Sequence, residues 1–369
     1  MIKVQIGGSP CTFWSIAQKG ERETEPSGLG WELFENYNIA KAKFKPDFFL
    51  YENNVSAAEA IKAQIRKELG VWDGTLLMED TGVRYDEFNS ALVSAQNRER
   101  FYVHNCGDLA GPGDRGVMLC DILESGFVDR EKSYCLKHQA GNTRDYFKKR
   151  HTQVAFEPIR IGTIESNTHS KYHASKPFRV YSPFGKSVAL QGNGGGVGAK
   201  TGLYAVPIRE DLKDLACDKG KVYEVRGGKI ETKFGTFEIN LPDGDYVIRK
   251  LTIPESCRLQ TLPDDYCRAV SPSQGYKGLG NGWTAEIIIY ILNGALKDVP
   301  RDEEIVVLSM YDGIGTGRYC FDKMGFTNVR YFAYEIDKYA KQIALSNYPD
   351  IIQMGDAFDV RHPDWTIGY

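Results

Sequence analysis

Short apolar segments alternate with amphipathic ones at both ends of the chain, and this alternation restricts the possible folds more than any other feature. Residues 2–6, 48–51, 75–78, 101–103, 305–308, 331–334 and 351–354 are predicted strands, and residues 29–40, 57–69 and 284–296 are predicted helices. Strands that alternate with helices favour an α/β sheet, which binds its ligands at the carboxyl ends of the strands. We therefore expect the functional residues at that edge.

The middle of the chain, residues 106–247, interrupts the alternation. Glycine becomes more frequent there, and residues 222–225, 229–233 and 236–239 alternate around the pair Gly227-Gly228, a pattern typical of a β meander. Residues 249–266 return to a helical pattern. The sequence therefore predicts an α/β domain in two halves, residues 1–105 and 301–369, interrupted by a smaller β-rich domain at residues 106–247 and by closing helices at residues 248–300.

The net charge of −3 conceals a strongly basic stretch at residues 132–200. This stretch contains eight Lys and four Arg against three acidic residues, and four of the six His of the chain also lie in it. A basic, glycine-bearing stretch in an otherwise acidic chain favours a surface that binds a polyanion such as nucleic acid. An ordinary solvated basic surface is the alternative.

Several other classes of protein are disfavoured by composition. No apolar run approaches the roughly 20 residues of a membrane span, and the first residues do not form a signal peptide. The eight Cys are scattered without paired spacing, which favours a reducing cytoplasm over a disulfide framework. Cys120, Cys135 and His138 come nearest to a metal pattern, but they lack a second close pair, so we expect no metal site.

The segment Gly7-Gly8-Ser9-Pro10-Cys11 directly follows the first predicted strand. Glycines at the end of a strand allow the backbone to approach a ligand closely, and proline stiffens the turn that carries the next side chain. Cys11 is therefore a candidate nucleophile, and the polar loop 12–27 is a candidate lid. A small buried cysteine beside a turn is the alternative.

A second glycine-rich turn, residues 311–317, follows the apolar strand 305–308. Glu335 ends the next strand 22 residues after Gly313, close to the spacing of about 20 at which a ribose-binding acid follows such a turn. The turn lacks the Lys-Ser/Thr of a phosphate-binding loop, so a nucleoside without a polyphosphate fits better. S-adenosyl-L-methionine is such a ligand: the helix start would hold its carboxylate, Glu335 its ribose and Asp356 its adenine amino group.

In five segments the chain resembles the C5-cytosine DNA methyltransferases. The segment that ends at Cys11 resembles their nucleophile motif, Glu52-Asn53-Asn54 their Glu-Asn motif, and residues 96–100 their Gln-x-Arg-x-Arg motif. Residues 249–260 resemble the motif that follows the recognition domain, and Gly280-Asn281 resembles the last motif, which walls the cofactor pocket.

The resemblance implies a DNA cytosine-5 methyltransferase that uses S-adenosyl-L-methionine, with a Rossmann-like mixed sheet and a target-recognition domain at residues 106–247. Cys11 would add to C6 of the cytosine, and Glu52 would bind N3 and the exocyclic amine. Arg100 would sit against O2, and Arg98 would support the same network. The residues expected at the cofactor are Tyr311, Asp312, Gly313, Gly315, Gly317, Glu335, Ile336, Asp356, Ala357, Asn281 and Trp283.

The order of the motifs differs from the order usual in that family, in which the cofactor motifs come first. Here they come last, so the chain resembles a circular permutant opened just before the nucleophile strand. Ser9, Thr12, Pro254, Trp283 and Asp312 replace commoner residues. Ser9, Trp283 and Asp312 are similar to the residues of the animal de novo enzymes and of some phage enzymes. The expected setting is restriction–modification in the cytoplasm of a prokaryotic or phage-infected cell.

The expected partner is double-stranded DNA, bound by a monomer. A transfer RNA cytosine-5 methyltransferase is the alternative, but that branch of the family carries only a small recognition region, whereas the region predicted here covers residues 106–247. A non-catalytic binding module is a further alternative, against which the presence of Cys11, Glu52, Arg98 and Arg100 argues. The (Asp/Asn/Ser)-Pro-Pro-aromatic tetrad of amino-directed methyltransferases is absent.

Overall fold

The computed structural model of the protein describes two separate units. It covers residues 1–14, 22–72, 79–124 and 252–368, with the intervening segments 160–163, 179–181, 187–188, 203–207, 222–232, 235–238 and 244–249. The first unit comprises Met1–Ser90, Glu99–Gly113 and Asp265–Tyr369, and the second comprises Ala91–Arg98 and Asp114–Asp264. The predicted strand 75–78, the pair Cys135 and His138, and most of the basic stretch lie outside the described residues.

The elements are numbered here in chain order. The strands are β1 (Ile2–Gly7), β2 (Phe48–Asn54), β3 (Arg84–Asn89), β4 (Gln96–Asn97), β5 (Glu99–His104), β6 (Arg160–Thr163), β7 (Arg179–Tyr181), β8 (Ser187–Val188), β9 (Leu203–Pro207), β10 (Val222–Arg226), β11 (Lys229–Thr232), β12 (Gly235–Glu238), β13 (Gly244–Arg249), β14 (Ile305–Met310), β15 (Val329–Tyr334) and β16 (Ile352–Gly355). The helices are α1 (Gly28–Phe44), α2 (Glu59–Leu69), α3 (Leu119–Ile122), α4 (Ile253–Leu259), α5 (Pro272–Asn281), α6 (Ala285–Leu296), α7 (Thr316–Lys323) and α8 (Lys338–Asn347).

The first unit is built on a seven-stranded sheet of order β16-β15-β14-β1-β2-β5-β3. Neighbours from β16 to β2 are parallel, whereas β5 is antiparallel to both β2 and β3. Strands from the two ends of the chain are neighbours in this sheet, since β1 pairs with β14 from Ile2 and Ile305 to Gly7 and Met310. A mixed, mostly parallel sheet of this kind fits a methyltransferase fold.

Continuous burial explains why the chain ends form this sheet. All six residues of β14 are buried, as is usual for a parallel strand covered on both faces. Alternate residues of β14 pack in a hydrophobic core with residues of α1, of α2 and of the segment 357–367. The members of this core include Phe34, Tyr37, Ile61, Ile65, Leu308 and Val360. The predicted helices at residues 29–40, 57–69 and 284–296 are confirmed with small shifts at their ends.

Two predictions of secondary structure differ from the structure. The helix predicted at residues 249–266 is limited to α4, because strand β13 continues to Arg249 and Thr252 starts the helix. The Thr252 hydroxyl accepts from the N–H of Glu255 at 3.2 Å, and the Glu255 carboxylate accepts from the N–H of Thr252 at 2.7 Å, a capping box. Strand β3 was not predicted, because its sequence is mostly polar and it lies at the edge of the sheet.

The second unit contains a sheet of order β12-β11-β10-β13-β9-β7-β6. The predicted meander is confirmed: β10, β11 and β12 pair antiparallel in succession, and Gly227 and Gly228 both have positive φ in the first turn. Strands β4 and β8 form a separate parallel pair. The role of this unit in target recognition stays a prediction.

Two further observations concern membranes and metals. None of the helices in the described segments is both long and apolar enough to cross a lipid bilayer. Among the residues that the structure covers, no three His, Cys, Asp or Glu side chains are placed to hold a metal ion together.

Candidate active site

Four neighbouring strands are in register at the carboxyl edge of the first unit's sheet. The residues in register across β2, β1, β14 and β15 are Tyr51, Gly7, Met310 and Tyr334, at which the last three strands end while β2 continues to Asn54. The residues that follow them are Glu52, Gly8, Tyr311 and Glu335. Because neighbouring strands lie about 4.8 Å apart, predicted site residues from the two ends of the chain lie side by side at this edge.

The glycines that precede Cys11 are required by close contacts. A Cβ atom on Gly8 would lie 2.5 Å from the carbonyl oxygen of Glu52 and 2.9 Å from its Oε2. A Cβ atom on Gly7 would lie 2.5 Å from the carbonyl oxygen of Met310. All three distances are too short for a side chain, so the two glycines allow this loop to pass directly against the carboxylate of Glu52.

The next residue of the loop, Ser9, is fixed by side chains of β2. Its hydroxyl lies 2.7 Å from the hydroxyl of Tyr51, and the amide of Asn53 donates to the Ser9 carbonyl at 3.0 Å. The same amide lies within hydrogen-bond distance of both hydroxyls. Burial raises the pKa of Tyr51, although the bonds from Ser9 and Asn53 oppose the shift, so the phenol is neutral. This network positions the loop that carries the predicted nucleophile.

Cys11 opens a short 3-10 helix, Cys11–Phe13, immediately after this network. Its side chain lies outside the described residues. The predicted lid loop is closed at its base, since the N–H of Glu23 donates to the Phe13 carbonyl at 3.1 Å. The indole of the buried Trp14 also donates to the Glu23 carboxylate at 3.1 Å. The backbone therefore places Cys11 between the Ser9 network and this closed base.

The carboxylate of Glu52 is held by a different donor at each oxygen. Nε of Arg100 lies 2.9 Å from Oε1, and the indole N–H of Trp283 donates to Oε2 at 3.0 Å. The side chains of Glu52 and Arg100 are each 12 % exposed. Arg100 reaches Glu52 because it lies two residues from Tyr102, the partner of Glu52 across the β2–β5 pair. The structure thus joins two predicted catalytic residues.

Arg98, which was predicted to act together with Arg100, belongs to the second unit. Arg98 as a whole is 4 % exposed. In that unit, the side-chain amide of Gln96 donates to the carbonyl of Leu259 at 3.0 Å and to the amide oxygen of Gln260 at 3.1 Å. The predicted motifs at residues 96–100 and 249–260 therefore meet there. The catalytic role of Arg98 stays a prediction.

The glycine-rich turn after β14 contains a buried acid. Oδ1 of Asp312 accepts from the Ser309 hydroxyl at 2.7 Å and from the Tyr331 hydroxyl at 2.6 Å. Its Oδ2 is buried and has no hydrogen-bond partner among the described residues. Burial raises the pKa of Asp312 to about 6, even though both hydroxyls favour the ionised form. Neither Ser309 nor Tyr331 was predicted, because an apolar strand pattern does not indicate where a hydroxyl will point.

Glu335 ties the glycine-rich turn to the neighbouring strand. Its Oε2 accepts from the N–H of Gly313 at 2.8 Å, and its Oε1 accepts from the N–H groups of Ile336 and Asp337 at 2.8 and 2.7 Å. Burial raises the pKa of Glu335, and these N–H groups oppose the shift. Gly313 has a φ of 64°, and a Cβ on it would meet open space. The predicted spacing of Gly313 and Glu335 therefore corresponds to a real contact.

The other residues predicted at the cofactor also lie in the first unit. Tyr311 has a φ of 61° and donates its hydroxyl to the Leu33 carbonyl at 2.7 Å. Ile336 is 70 % exposed, and Asn281 is exposed at the end of α5. Gly315 and Gly317 lie at the start of α7. Asp356 is exposed, and its carboxylate accepts from the N–H of Phe358 at 3.0 Å. Ala357 is buried.

Comparison with protein families agrees with this geometry. The model of the family C-5 cytosine-specific DNA methylase matches residues 1–297. The chain belongs to this family. No curated protein matches the chain. Membership in the family makes the protein a cytosine-5 methyltransferase, and such enzymes generally use S-adenosylmethionine. The match ends before β14, so the glycine-rich turn and Glu335 lie outside it.

The residues around the glycine-rich turn fit the cofactor of this family. The unpartnered Oδ2 of Asp312 can accept from a cationic or N–H group. The space beside Gly313 leaves room for a ligand close to the backbone. Ile336 presents an exposed apolar side chain directly after Glu335. A nucleoside with an amino-acid arm needs these three kinds of surface.

Proposed function

We propose that the protein is a DNA (cytosine-5-)-methyltransferase that acts on a cytosine flipped out of double-stranded DNA, through a bond between Cys11 and C6. The observation that carries the proposal is the carboxylate of Glu52, held by Arg100 and Trp283 and lying against Gly8 of the loop that leads to Cys11. Family membership supports the reaction, and the description of the family as a DNA methylase supports DNA as the substrate.

In the proposed mechanism, the Cys11 thiolate adds to C6 and the electron pair of the C5–C6 double bond moves to C5. Glu52 holds N3 and the exocyclic amine, which stabilises the charge that the addition creates. Arg100 binds near O2. S-adenosylmethionine, when bound, would supply the electrophilic methyl group that C5 takes up, and its sulfur would keep the electron pair of the broken S–CH3 bond, leaving S-adenosylhomocysteine. The C5 proton then passes to a solvent base as the thiolate leaves C6, which restores the C5–C6 double bond.

For the cofactor site we propose Asp312, Gly313, Glu335 and Asp356 as the principal residues, with Ile336 against the adenine. Tyr311, Gly315, Gly317, Ala357, Asn281 and Trp283 complete the proposed site. The support is the shared sheet edge and the fit of the turn described above. Flipping a base costs a few kcal/mol, and the polar loop 12–27 is the proposed lid.

We further propose that the chain is a circular permutant of its family. Its family match lies in residues 1–297, yet β14, β15 and β16 continue the sheet beyond β1. The side chain of Lys43, near the end of α1, donates to the carbonyls of Val360 and His362, while Lys3 donates to the carbonyl of Phe44. The segment after β16 and the start of β1 therefore both contact the end of α1, which supports a former connection between them.

The experiment that tests the function is covalent trapping. Duplex DNA containing 5-fluorocytosine should form a stable adduct with the wild-type protein in the presence of S-adenosylmethionine, because the C5 substituent cannot leave as a proton. Cys11→Ala should form none and should keep its cofactor affinity. An equally stable adduct with Cys11→Ala would contradict the assignment.

The substrate is tested by methyl transfer from labelled S-adenosylmethionine to duplex DNA and to a pool of transfer RNA. Transfer to DNA alone supports the proposal, whereas transfer to transfer RNA alone would favour the RNA enzyme. Bisulfite sequencing of DNA from cells that express the protein then identifies the target sequence. We propose that the second unit selects this sequence.

A further inference from the structure

The indole of Trp283 makes a contact that its predicted place in the cofactor pocket does not require. Its N–H donates to Oε2 of Glu52 at 3.0 Å, across 231 positions of sequence. The same oxygen faces the position where a Cβ of Gly8 would lie, 2.9 Å away. Trp283 therefore binds the carboxylate oxygen of Glu52 that faces the nucleophile loop.

Two donors on two oxygens fix the orientation of a carboxylate. The terminal torsion of a glutamate is broad and roughly two-fold, so a single contact at Oε1 leaves the carboxylate plane poorly defined. Arg100 binds Oε1 at 2.9 Å, and Trp283 supplies the second point. With both bonds made, a buried carboxylate has one plane in which to receive a base.

The turn that carries Trp283 is itself well anchored. The hydroxyl of Thr284 lies 2.8 Å from the hydroxyl of Ser90, and the N–H of Gly282 donates to the Gly278 carbonyl at 2.8 Å. A Cβ on Gly278 would lie 2.6 Å from Cγ2 of Ile314, which belongs to the glycine-rich turn. The indole is thus held between Glu52 and a segment that packs on the proposed cofactor loop.

We propose that Trp283 is a positioning residue for Glu52, an inference that rests on the proposed function. Its indole N–H orients the carboxylate that receives the cytosine. Because the ring is rigid, the position of the turn at residues 278–284 determines where this N–H group lies. The role differs from that of a cofactor wall, because it acts on the rate of methyl transfer after both substrates are bound.

The test separates binding from reaction. Trp283→Phe keeps a ring of similar shape but loses the N–H donor. We expect single-turnover methyl transfer at saturating DNA and S-adenosylmethionine to fall about 10- to 100-fold, the loss expected for one hydrogen bond to a charged group. The Kd for S-adenosylmethionine should change less than threefold. Unchanged transfer, or a weaker Kd as the only effect, would overturn the inference.

A double-mutant cycle shows whether Trp283 acts through Glu52. In a Glu52→Gln background, Trp283→Phe should cost much less than in the wild type, because the carboxylate that it orients is gone. If the methyl-transfer rate fell by the same factor in both backgrounds, Trp283 would act independently of Glu52. Trp72→Phe is the matched control, since Trp72 is partly exposed and lies under the guanidinium of Arg84.

A direct measurement covers the case in which Trp283→Phe folds poorly. The protein has five Trp, and the indole N–H signal of Trp283 in a ¹H–¹⁵N spectrum should shift when Glu52 becomes Gln. An unmoved signal would contradict the hydrogen bond. If the wild-type protein methylates neither DNA nor RNA, the proposed function fails. If the wild type is active and Trp283→Phe transfers methyl groups at the same rate, only this inference is refuted.

Discussion

The hydroxyl groups of Ser9 and Tyr51 lie 2.7 Å apart in the buried region between β1 and β2. This contact joins the loop that precedes Cys11 to the residue that precedes Glu52. A nucleophile and the carboxylate that assists it must be placed within a fraction of an ångström of their productive positions. In the proposed mechanism, the Ser9–Tyr51 bond, supported by Asn53, provides this precision where Gly7 at the end of β1 is in register with Tyr51 of β2.

We expect Tyr51→Phe to lower the methyl-transfer rate about 2- to 10-fold, because it removes one neutral hydrogen bond from the nucleophile loop. The cofactor Kd should not change. Tyr85→Phe is the matched control, since the Tyr85 hydroxyl donates to the exposed carboxylate of Glu87 on the same strand. Equal rates for wild type and Tyr51→Phe would show that the Asn53 bonds suffice.

A second prediction concerns the proposed cofactor residues. Glu335→Ala removes the acceptor of three backbone N–H groups, and Asp356→Ala removes an exposed carboxylate at the end of β16. Each should weaken S-adenosylmethionine binding by about 1–3 kcal/mol, with a smaller effect on DNA affinity. Asp359→Ala, at a nearby exposed position, should bind normally. Unchanged calorimetric Kd values in both variants would refute the pocket.

The buried acid Asp312 predicts a pH dependence of stability. Its pKa rises from 3.8 when exposed to about 6 in the fold. The folded state therefore binds a proton between these values while the unfolded state does not, so this group stabilises the fold as pH falls below about 6. Between pH 7.5 and 4.5 the gain is about 2 kcal/mol.

Urea unfolding of wild type and Asp312→Asn measures this gain, because the amide cannot ionise. The free energy of unfolding of the wild type should rise relative to the variant by about 2 kcal/mol from pH 7.5 to pH 4.5. Asp264→Asn is the control: Arg258 holds the pKa of Asp264 below its usual value, so its contribution is lost only at lower pH. A pH-independent difference for Asp312→Asn would contradict the assignment of the shift.

The strongest sequence predictions came from residues whose neighbours constrain them. Strand β14 is apolar except for Ser309, and the glycine turn after it limits where Glu335 can lie, so both a buried strand and the Gly313–Glu335 contact could be expected. The mostly polar edge strand β3 gave no such signal. The capping box of Thr252 and Glu255 was a usable signal for the start of α4, and it was outweighed by the helical pattern of the surrounding residues.

Contacts between distant residues could not be predicted in the same way. No spacing rule links Trp283 to Glu52, because the contact depends on how the turn before α6 packs on the sheet. Arg98 and Arg100 are two positions apart and were expected at one site, yet they fall in different units. Sequence distance along a strand is a poor guide where the chain passes from one unit to another.

The last prediction concerns the permuted order of the chain. The N–H of Ile2 donates to the Glu304 carbonyl at 2.8 Å, and the amino group of Met1 pairs with Glu303, so the start of β1 lies against the linker before β14. Joining Tyr369 to Met1 through about ten residues, which span up to roughly 33 Å, and reopening the chain within residues 297–304 should keep methyl transfer and cofactor affinity. Opening the same joined chain within residues 311–315 should abolish cofactor binding, because it cuts the turn held by Glu335. If the chain reopened at residues 297–304 folds but binds no cofactor, the permutation is refuted, whereas loss of activity only in the chain opened at residues 311–315 supports it.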